Sequence, residues 1–225
     1  MTKTVIALTS VRGRSGKDTL IEELRKAGHT VTRVAFGDTL KEACADELAI
    51  APFFKEDLLE FFHSDAKDQM MPGLAIRNLH RGAYREWLET QGPNLPEWMD
   101  VARTPRWHLQ QYGTEYRREF LKNPNVWLDA GLKEIKEAPE GLVVVTDMRQ
   151  RNEYLNLRLL GNVSLSCNVS TVRLHRMWFV PGVDDAGYHK TDLDLIGHSM
   201  DAVVLNEWGN PSGMVAQLEK QLGGL

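Results

Sequence analysis

Lys17 follows Gly16 in the run Ser10-Val-Arg-Gly-Arg-Ser-Gly-Lys-Asp-Thr19, between a short apolar stretch at residues 4–9 and a helical pattern starting at Thr19. Holding a chain of phosphates takes backbone N–H groups that close around the oxygens, a helix N-terminus aimed at them and an ammonium on the terminal phosphates. This run supplies the residue types for all three. It departs from G-x-x-x-x-G-K-[ST] at two places: Val11 stands at the first glycine position, and Asp18 follows the lysine so that the hydroxyl comes one step later, at Thr19. The order strand, loop, helix favours a phosphate loop over a glycine-rich turn that binds nothing. The expected contacts are Arg12, Gly13, Arg14, Ser15, Gly16, Lys17, Asp18 and Thr19. Lys17 would meet the terminal phosphates, and Thr19 a phosphate oxygen or Mg²⁺. Asp18 is either a ligand group or a carboxylate that complements the helix dipole.

A second group of candidates follows the β-branched run at residues 142–146, which has the composition of a strand buried on both faces. Asp147 falls at its carboxyl end, where open α/β sheets bind ligands, and could hold Mg²⁺ through water or orient an acceptor phosphate. Capping the helix that begins near Asn152 is the structural alternative. Arg149 suits a phosphate because a guanidinium makes paired hydrogen bonds to its oxygens. Arg173 and Arg176 flank His175 at the start of a stretch rich in Gly and Asp, 176–197, that reads as a loop or lid; Arg176 is expected to close over a transferred phosphate. His189 and His198 with Asp184, Asp185, Asp192 and Asp194 raise a metal site, but acids without fixed spacing read better as a solvated loop.

Around these residues the pattern alternates strand and helix: strand 4–9, helix from 19 closed by Gly28, strand 31–36 ending at Gly37-Asp38, helix 39–48. That alternation signals a parallel sheet with helical crossovers. The pattern loosens over residues 50–106, taken as an insertion, whose Trp87, Trp98, Trp107, Phe53, Phe54, Phe61 and Phe62 read mainly as core with one of them available to stack on a base. A helix at 105–111 is expected to break before the segment opened by Gly113, followed by a helix at 126–136, a helix at 152–160, short strands near 163–166 and 171–175, a last strand at 202–205 and a C-terminal helix. The expected fold is α/β, a three-layer α/β/α arrangement with about five parallel strands, a single domain carrying a helical insertion that binds an acceptor and a lid.

Composition fits this. The chain has 225 residues, 42% hydrophobic and 26% charged, enough apolar material for a sizeable core. Its 27 basic and 31 acidic side chains give a formal charge of -4, which disfavours coating of a nucleic-acid backbone, although Arg77, Arg81 and Arg85 could form a local basic groove. Cys44 and Cys167 are expected as buried thiols. No apolar run is long enough to span a bilayer and the N-terminus enters a strand directly, so a cytoplasmic protein is expected, in the host cytoplasm if the chain is viral.

Ser15-Gly-Lys-Asp-Thr19, Gly37-Asp-Thr-Leu-Lys41, Gln111-Tyr-Gly-Thr-Glu-Tyr-Arg117-Arg118 with Asn123-Pro-Asn-Val-Trp127, Val145-Thr-Asp147-Met-Arg149 and Asp201-Ala-Val-Val-Leu-Asn206 together resemble the deoxynucleoside monophosphate kinases of tailed phages. The chain is also similar to animal-type phosphomevalonate kinase in Ser15–Asp18, in Thr146–Arg149 and in Trp178-Phe-Val-Pro-Gly-Val-Asp-Asp-Ala186. The first resemblance implies ATP and Mg²⁺ as cofactors, Lys17, Arg149, Asp147 and Arg176 in catalysis, and Thr19 with Asp147 at the metal. It also implies an acceptor site from Asp38, Lys41, Gly113, Thr114, Arg117 and Arg118. Adjacent helical arginines point about 100° apart, so one of Arg117 and Arg118 would face the phosphate; Asp38 could equally cap helix 39–48. Partners would be a small-molecule nucleotide and a possible second copy of the chain, with neither membrane nor nucleic acid. The alternatives are a kinase for another acceptor, such as a phosphomevalonate-like molecule or a modified base in DNA, a nucleotide-dependent switch, and a degenerate phosphate loop turned interaction module.

Overall fold

The computed structural model describes residues 3–49, 52–92, 96–163, 167–185, 187–188 and 190–225. Contacts divide the chain into one unit of Met1–Phe36 with Leu128–Leu225 and a second of Gly37–Trp127, a wider span than the 50–106 stretch whose pattern loosens.

In the first unit the β-branched runs become strands: β1 (Lys3–Thr9), β2 (Val31–Val34), β3 (Leu142–Val145), β4 (Cys167–Arg176) and β5 (Ala202–Asn206). Among the described residues they form one sheet in the order β2-β3-β1-β4-β5, every pairing parallel. All four residues of β3 are buried, as a strand covered on both faces requires. Alternate residues of β1 serve the two faces. Ile6 and Leu8 pack with Leu20, Ile21 and Leu24 of α1 (Lys17–Lys26) and with Met214, Val215 and Leu218 of the C-terminal helix Gly213–Leu222. Val5 and Ala7 pack with Leu128 and Ile135 of helix Val126–Glu137 and with Tyr154 and Leu157 of helix Arg151–Val163. Three layers result, as expected. Both cysteines are buried and free.

Register carries the chemistry to one edge. Ala7 of β1 lies opposite Val145 of β3, so the loop at 10–16 and the residues Thr146–Arg149 leave the sheet side by side. Thr9 pairs with Arg173, and β4 runs on to Arg176, which pairs with Asn206 of β5.

Several boundaries differ from expectation. The helix after β2 begins at Phe36, not Thr39, and runs Phe36–Leu48, because the Asp147 carboxylate accepts the Phe36 N–H at 2.9 Å and supplies a start from outside the local sequence. Asp38 therefore sits in the first turn and is not the cap. Val163 ends a helix instead of opening a strand; residues 164–166 lie outside the described ones.

In the second unit several aromatic residues build the core. Tyr84, Trp87, Tyr112 and Tyr116 are buried with Cys44, Leu48, Leu58 and Phe62, and Tyr84 meets Tyr112 edge-on at 5.1 Å. The helix Pro105–Gln110 does not break before Gly113 but continues as a π-helix, Gln111–Phe120. A Cβ on Gly113 would stand 2.9 Å from the Leu40 methyls, and its carbonyl accepts the Trp127 Nε1–H at 3.1 Å. Glycine is there for close approach, not to end the helix. Phe53 lies outside the residues whose side chains are described.

Candidate phosphate-binding site

Gly16 precedes α1 at φ 96° with no side-chain hydrogen bond capping the helix, so the first-turn amides, which have no partner within a helix, face no competing side chain. Arg14 also has positive φ, 54°, a conformation costly for a side-chain-bearing residue and common where a site dictates the backbone. Arg14, Ser15, Gly16, Lys17, Asp18 and Thr19 line a cavity of about 290 Å³. Ser10 shapes the other side: its hydroxyl donates to the Arg12 carbonyl at 3.0 Å and accepts from Lys17 Nζ at 3.1 Å.

Burial first and then the Arg149 charge push the Lys17 ammonium down to about 8, against the opposing pull of Asp147, Asp18 and Asp192. A partly buried cation held below its ordinary range beside uncapped amides fits a polyphosphate. Lys17, Asp147 and Arg149, which the sequence placed in one site from two distant segments, do lie within each other's field. Asp18 is 86% exposed, with Arg33 Nε at 3.8 Å; it behaves as a first-turn carboxylate at the rim. Arg149 is half exposed and meets Asp192 at 3.4 Å.

Asp147 does not cap the helix Arg151–Val163. That end is closed by Glu153, which accepts the N–H groups of Arg149 and Gln150 at 2.7 and 2.9 Å, and by Asp194, which accepts that of Arg151 at 2.6 Å. Among the described residues no group of three or more His, Cys, Asp or Glu is arranged for a metal ion. Mg²⁺ in a nucleotide site takes most of its oxygens from phosphate and water, so a hydroxyl such as Thr19 and a carboxylate such as Asp147 are donor types suited to it.

Arg176 is the last residue of a strand, at the start of the connection expected as a lid. It ends β4, its side chain is 4% exposed, and its Nη2 donates to Asp184 Oδ1 at 2.7 Å. Arg12 reaches the same residue, with Nη2 on the Asp184 carbonyl at 3.1 Å and Nε 3.9 Å from the carboxylate, and stacks on Tyr188 at 3.6 Å. Asp185 accepts the Gly182 N–H at 3.1 Å. The acids Asp184, Asp185, Asp192 and Asp194 of the β4–β5 connection are not simply solvated; each meets a specific partner. His189 lies outside the described residues, and His198 packs edge-on against Tyr154 at 5.0 Å. Arg173 donates to the carbonyls of Ile196 and His198 at 3.3 and 3.2 Å and so anchors that connection.

Sequence reasoning missed Ser10, Asn206, Tyr188 and the partnering role of Asp184. Asn206 was legible only as the end of a motif; its amide donates to the Ser15 carbonyl at 3.0 Å.

In the second unit Lys41 bridges Asp38 Oδ1 at 3.0 Å and His63 Nδ1 at 3.3 Å. Arg117 donates to the Tyr112 hydroxyl at 2.8 Å and lies 5.4 Å from the centre of the Trp127 ring. Burial pushes the Glu47 carboxyl up, against the lowering charges of Arg117 and His80. Thr114 and Arg118 are partly buried. Of the three arginines that could form a local basic groove, Arg77 pairs with Asp100 at 2.8 Å and Arg85 with Glu89 at 2.9 Å.

No family model and no curated protein matches the chain. Among solved structures it is similar to TT1252 from Thermus thermophilus, with 14% identity, TM-score 0.37 and coverage of 99% of this chain and 97% of the other. Dephospho-CoA kinase from Campylobacter jejuni gives 11% identity, TM-score 0.37 and 97% of each chain. A plasmid partition protein from Borrelia burgdorferi bound to AMPPNP, so designated provisionally, gives 10%, 0.32, 99% and 98%. At these TM-scores the likenesses carry no argument, and the site is read from its own residues. No helix among the described residues is long and apolar enough to cross a membrane.

Proposed function

We propose that the chain is an ATP-dependent kinase that transfers the γ-phosphoryl group to a deoxynucleoside monophosphate, giving the diphosphate. The observation that carries this reading is the loop at 10–19 at the carboxyl edge of a parallel sheet, with Lys17 partly buried, held below its ordinary range and within the field of Asp147 and Arg149. Phosphoryl transfer asks for positioning and charge neutralisation above all, and these are the groups for it. The loop amides and Lys17 hold the β- and γ-phosphates. Thr19 and Asp147 would hold Mg²⁺, which would supply neutralisation of the charge that develops on the phosphates. An acceptor phosphate oxygen attacks the γ-phosphorus as the bond to the β–γ bridging oxygen breaks and ADP leaves; ionised at neutral pH, it needs no general base. The deoxynucleotide acceptor rests on the resemblance in Asp38, Lys41, Gly113, Thr114, Arg117 and Arg118, and with it a cytoplasmic setting.

The test is ADP release with ATP, Mg²⁺ and each common deoxynucleoside and ribonucleoside monophosphate in turn, with Lys17→Ala as control. Turnover on deoxy substrates that vanishes in the control supports the reading. ATP hydrolysis or binding with no turnover on any monophosphate overturns the acceptor and directs the search to phosphomevalonate-like molecules, modified DNA and protein partners.

A further inference from the structure

Arg176 is a buried cation with donors to spare. Its side chain is 4% exposed, yet only Nη2 has a hydrogen-bond partner, the Asp184 carboxylate; Nε and Nη1 are buried without one. Ser15 Oγ, in the phosphate loop, is likewise buried without a partner. Such donors cost free energy until an acceptor with more oxygens than one carboxylate reaches them. Arg12, Ser15, Arg176 and Asp184 line one cavity of about 450 Å³ together with Trp178 and Phe179. The Asp184 carboxylate also ties its own turn: Oδ2 accepts the Val180 N–H at 2.7 Å, and the Asp184 N–H meets the Val180 carbonyl at 3.0 Å. Val183 of the same turn lies beside Gly13, 3.8 Å from where a Cβ would stand.

We infer that Arg12, Arg176 and Ser15 form a phosphate-binding subsite beside the loop cavity, and that the Asp184 carboxylate occupies it until a phosphate displaces it. A phosphate brings three acceptor oxygens and more charge than a carboxylate, so it satisfies the Arg176 and Ser15 donors that Asp184 leaves unmet. The inference rests on the reading of residues 10–19 as a phosphate loop, and it makes the turn at 180–184 an internal competitor for the ligand.

The probe is inorganic tripolyphosphate, titrated calorimetrically into the full chain and into Asp184→Asn, which keeps the shape and removes the charge. Asp185→Asn makes the same change in net charge one residue away, off the arginines. Binding is expected about three- to tenfold tighter in Asp184→Asn and within about 1.5-fold of the parent in Asp185→Asn, as a local charge pair predicts. Independently of any variant, hydrogen exchange at the Val180 amide in the parent chain should quicken when tripolyphosphate is added, because its acceptor has moved away. Unchanged or weaker binding in Asp184→Asn, equal gains in both variants, or slower Val180 exchange each overturns the subsite while leaving the phosphate loop standing. No binding of tripolyphosphate or ATP to any form overturns the loop reading, and the subsite with it.

Discussion

Asn206 donates its side-chain amide to the Ser15 carbonyl at 3.0 Å, across the α-carbon of Gly16, in space that a Cβ on residue 16 would invade. The end of β5 thereby braces the turn into α1, and Gly16 is required twice, for its φ of 96° and for this approach. Gly16→Ala is expected to lose about 1–3 kcal/mol of stability and most ATP binding, and Asn206→Ala about 1 kcal/mol. In the double variant the clash is gone and only the strained φ remains, so the two losses should add to more than the double variant shows. Urea unfolding of the four proteins reads this directly; strict additivity would mean that Asn206 does not contact residue 16 in solution.

Lys17 has a signed pH signature. Its ammonium is pushed down to about 8 by burial and then by Arg149, so the ligand-free protein sheds this proton above that pH. Bound phosphates require the charged form and pull it back up, which makes ATP binding take up protons: about half a proton per site at pH 8 and more at pH 9. Affinity should fall up to about tenfold per pH unit above 8. Calorimetry in buffers of different ionisation enthalpy measures the uptake, which Lys17→Met should abolish. Binding at pH 8.5 without proton uptake would sink this account.

The free edge of β5 is covered by two glutamines of the helix Gly213–Leu222. Gln217 donates to the Leu205 carbonyl at 3.0 Å and accepts the Leu205 N–H at 2.8 Å, and Gln221 does the same for Val203 at 2.8 and 3.0 Å. Side-chain amides thus stand in for a neighbouring strand and blunt an edge that exposes Val203 and Leu205. Replacing both by alanine should cost about 1–3 kcal/mol and promote self-association through the bared ladder. Sedimentation velocity at rising concentration is the measurement, with the parent distribution unchanged in the variant as the contrary result.

The sheet and the strand, turn and helix around residues 10–19 were legible because local signals agree with the final structure there: β-branched runs, a glycine-lysine turn, apolar residues at helical spacing. Asp147 and Arg149 were legible for the same reason, since the end of a buried strand is visible in sequence. The partner of each charge was not. Asp147 is tied to Phe36, 111 residues away, and Arg12 to Asp184, 172 away; periodicity carries no information about such pairs. The expected break before Gly113 failed because a glycine chosen for contact with Leu40 looks, in one dimension, like a glycine chosen to end a helix.

His108 gives the second unit its own dependence on pH. It is fully buried, with Nε2 at 2.9 Å from the Leu74 carbonyl and Nδ1 at 3.2 Å from the Tyr84 hydroxyl. The neutral ring protonated on Nε2 satisfies both, donating to the carbonyl and accepting from the hydroxyl. Burial pushes the imidazole down to about 4, Arg103 adds to the effect, and the Leu74 bond opposes it. The unfolded chain, with a histidine near 6.5, holds more protons between those values, so stability rises with pH through that window. It is fully present above about 6.5 and declines by up to ~1.4 kcal/mol per pH unit as pH falls toward 4. His108→Gln should lose about 1–3 kcal/mol at pH 7 through poorer hydrogen bonds, yet flatten the slope between pH 5 and 6.5. Urea unfolding followed by the fluorescence of Trp87, Trp98 and Trp107 tests both. A parent slope that survives the substitution unchanged would assign the acid sensitivity to groups other than His108.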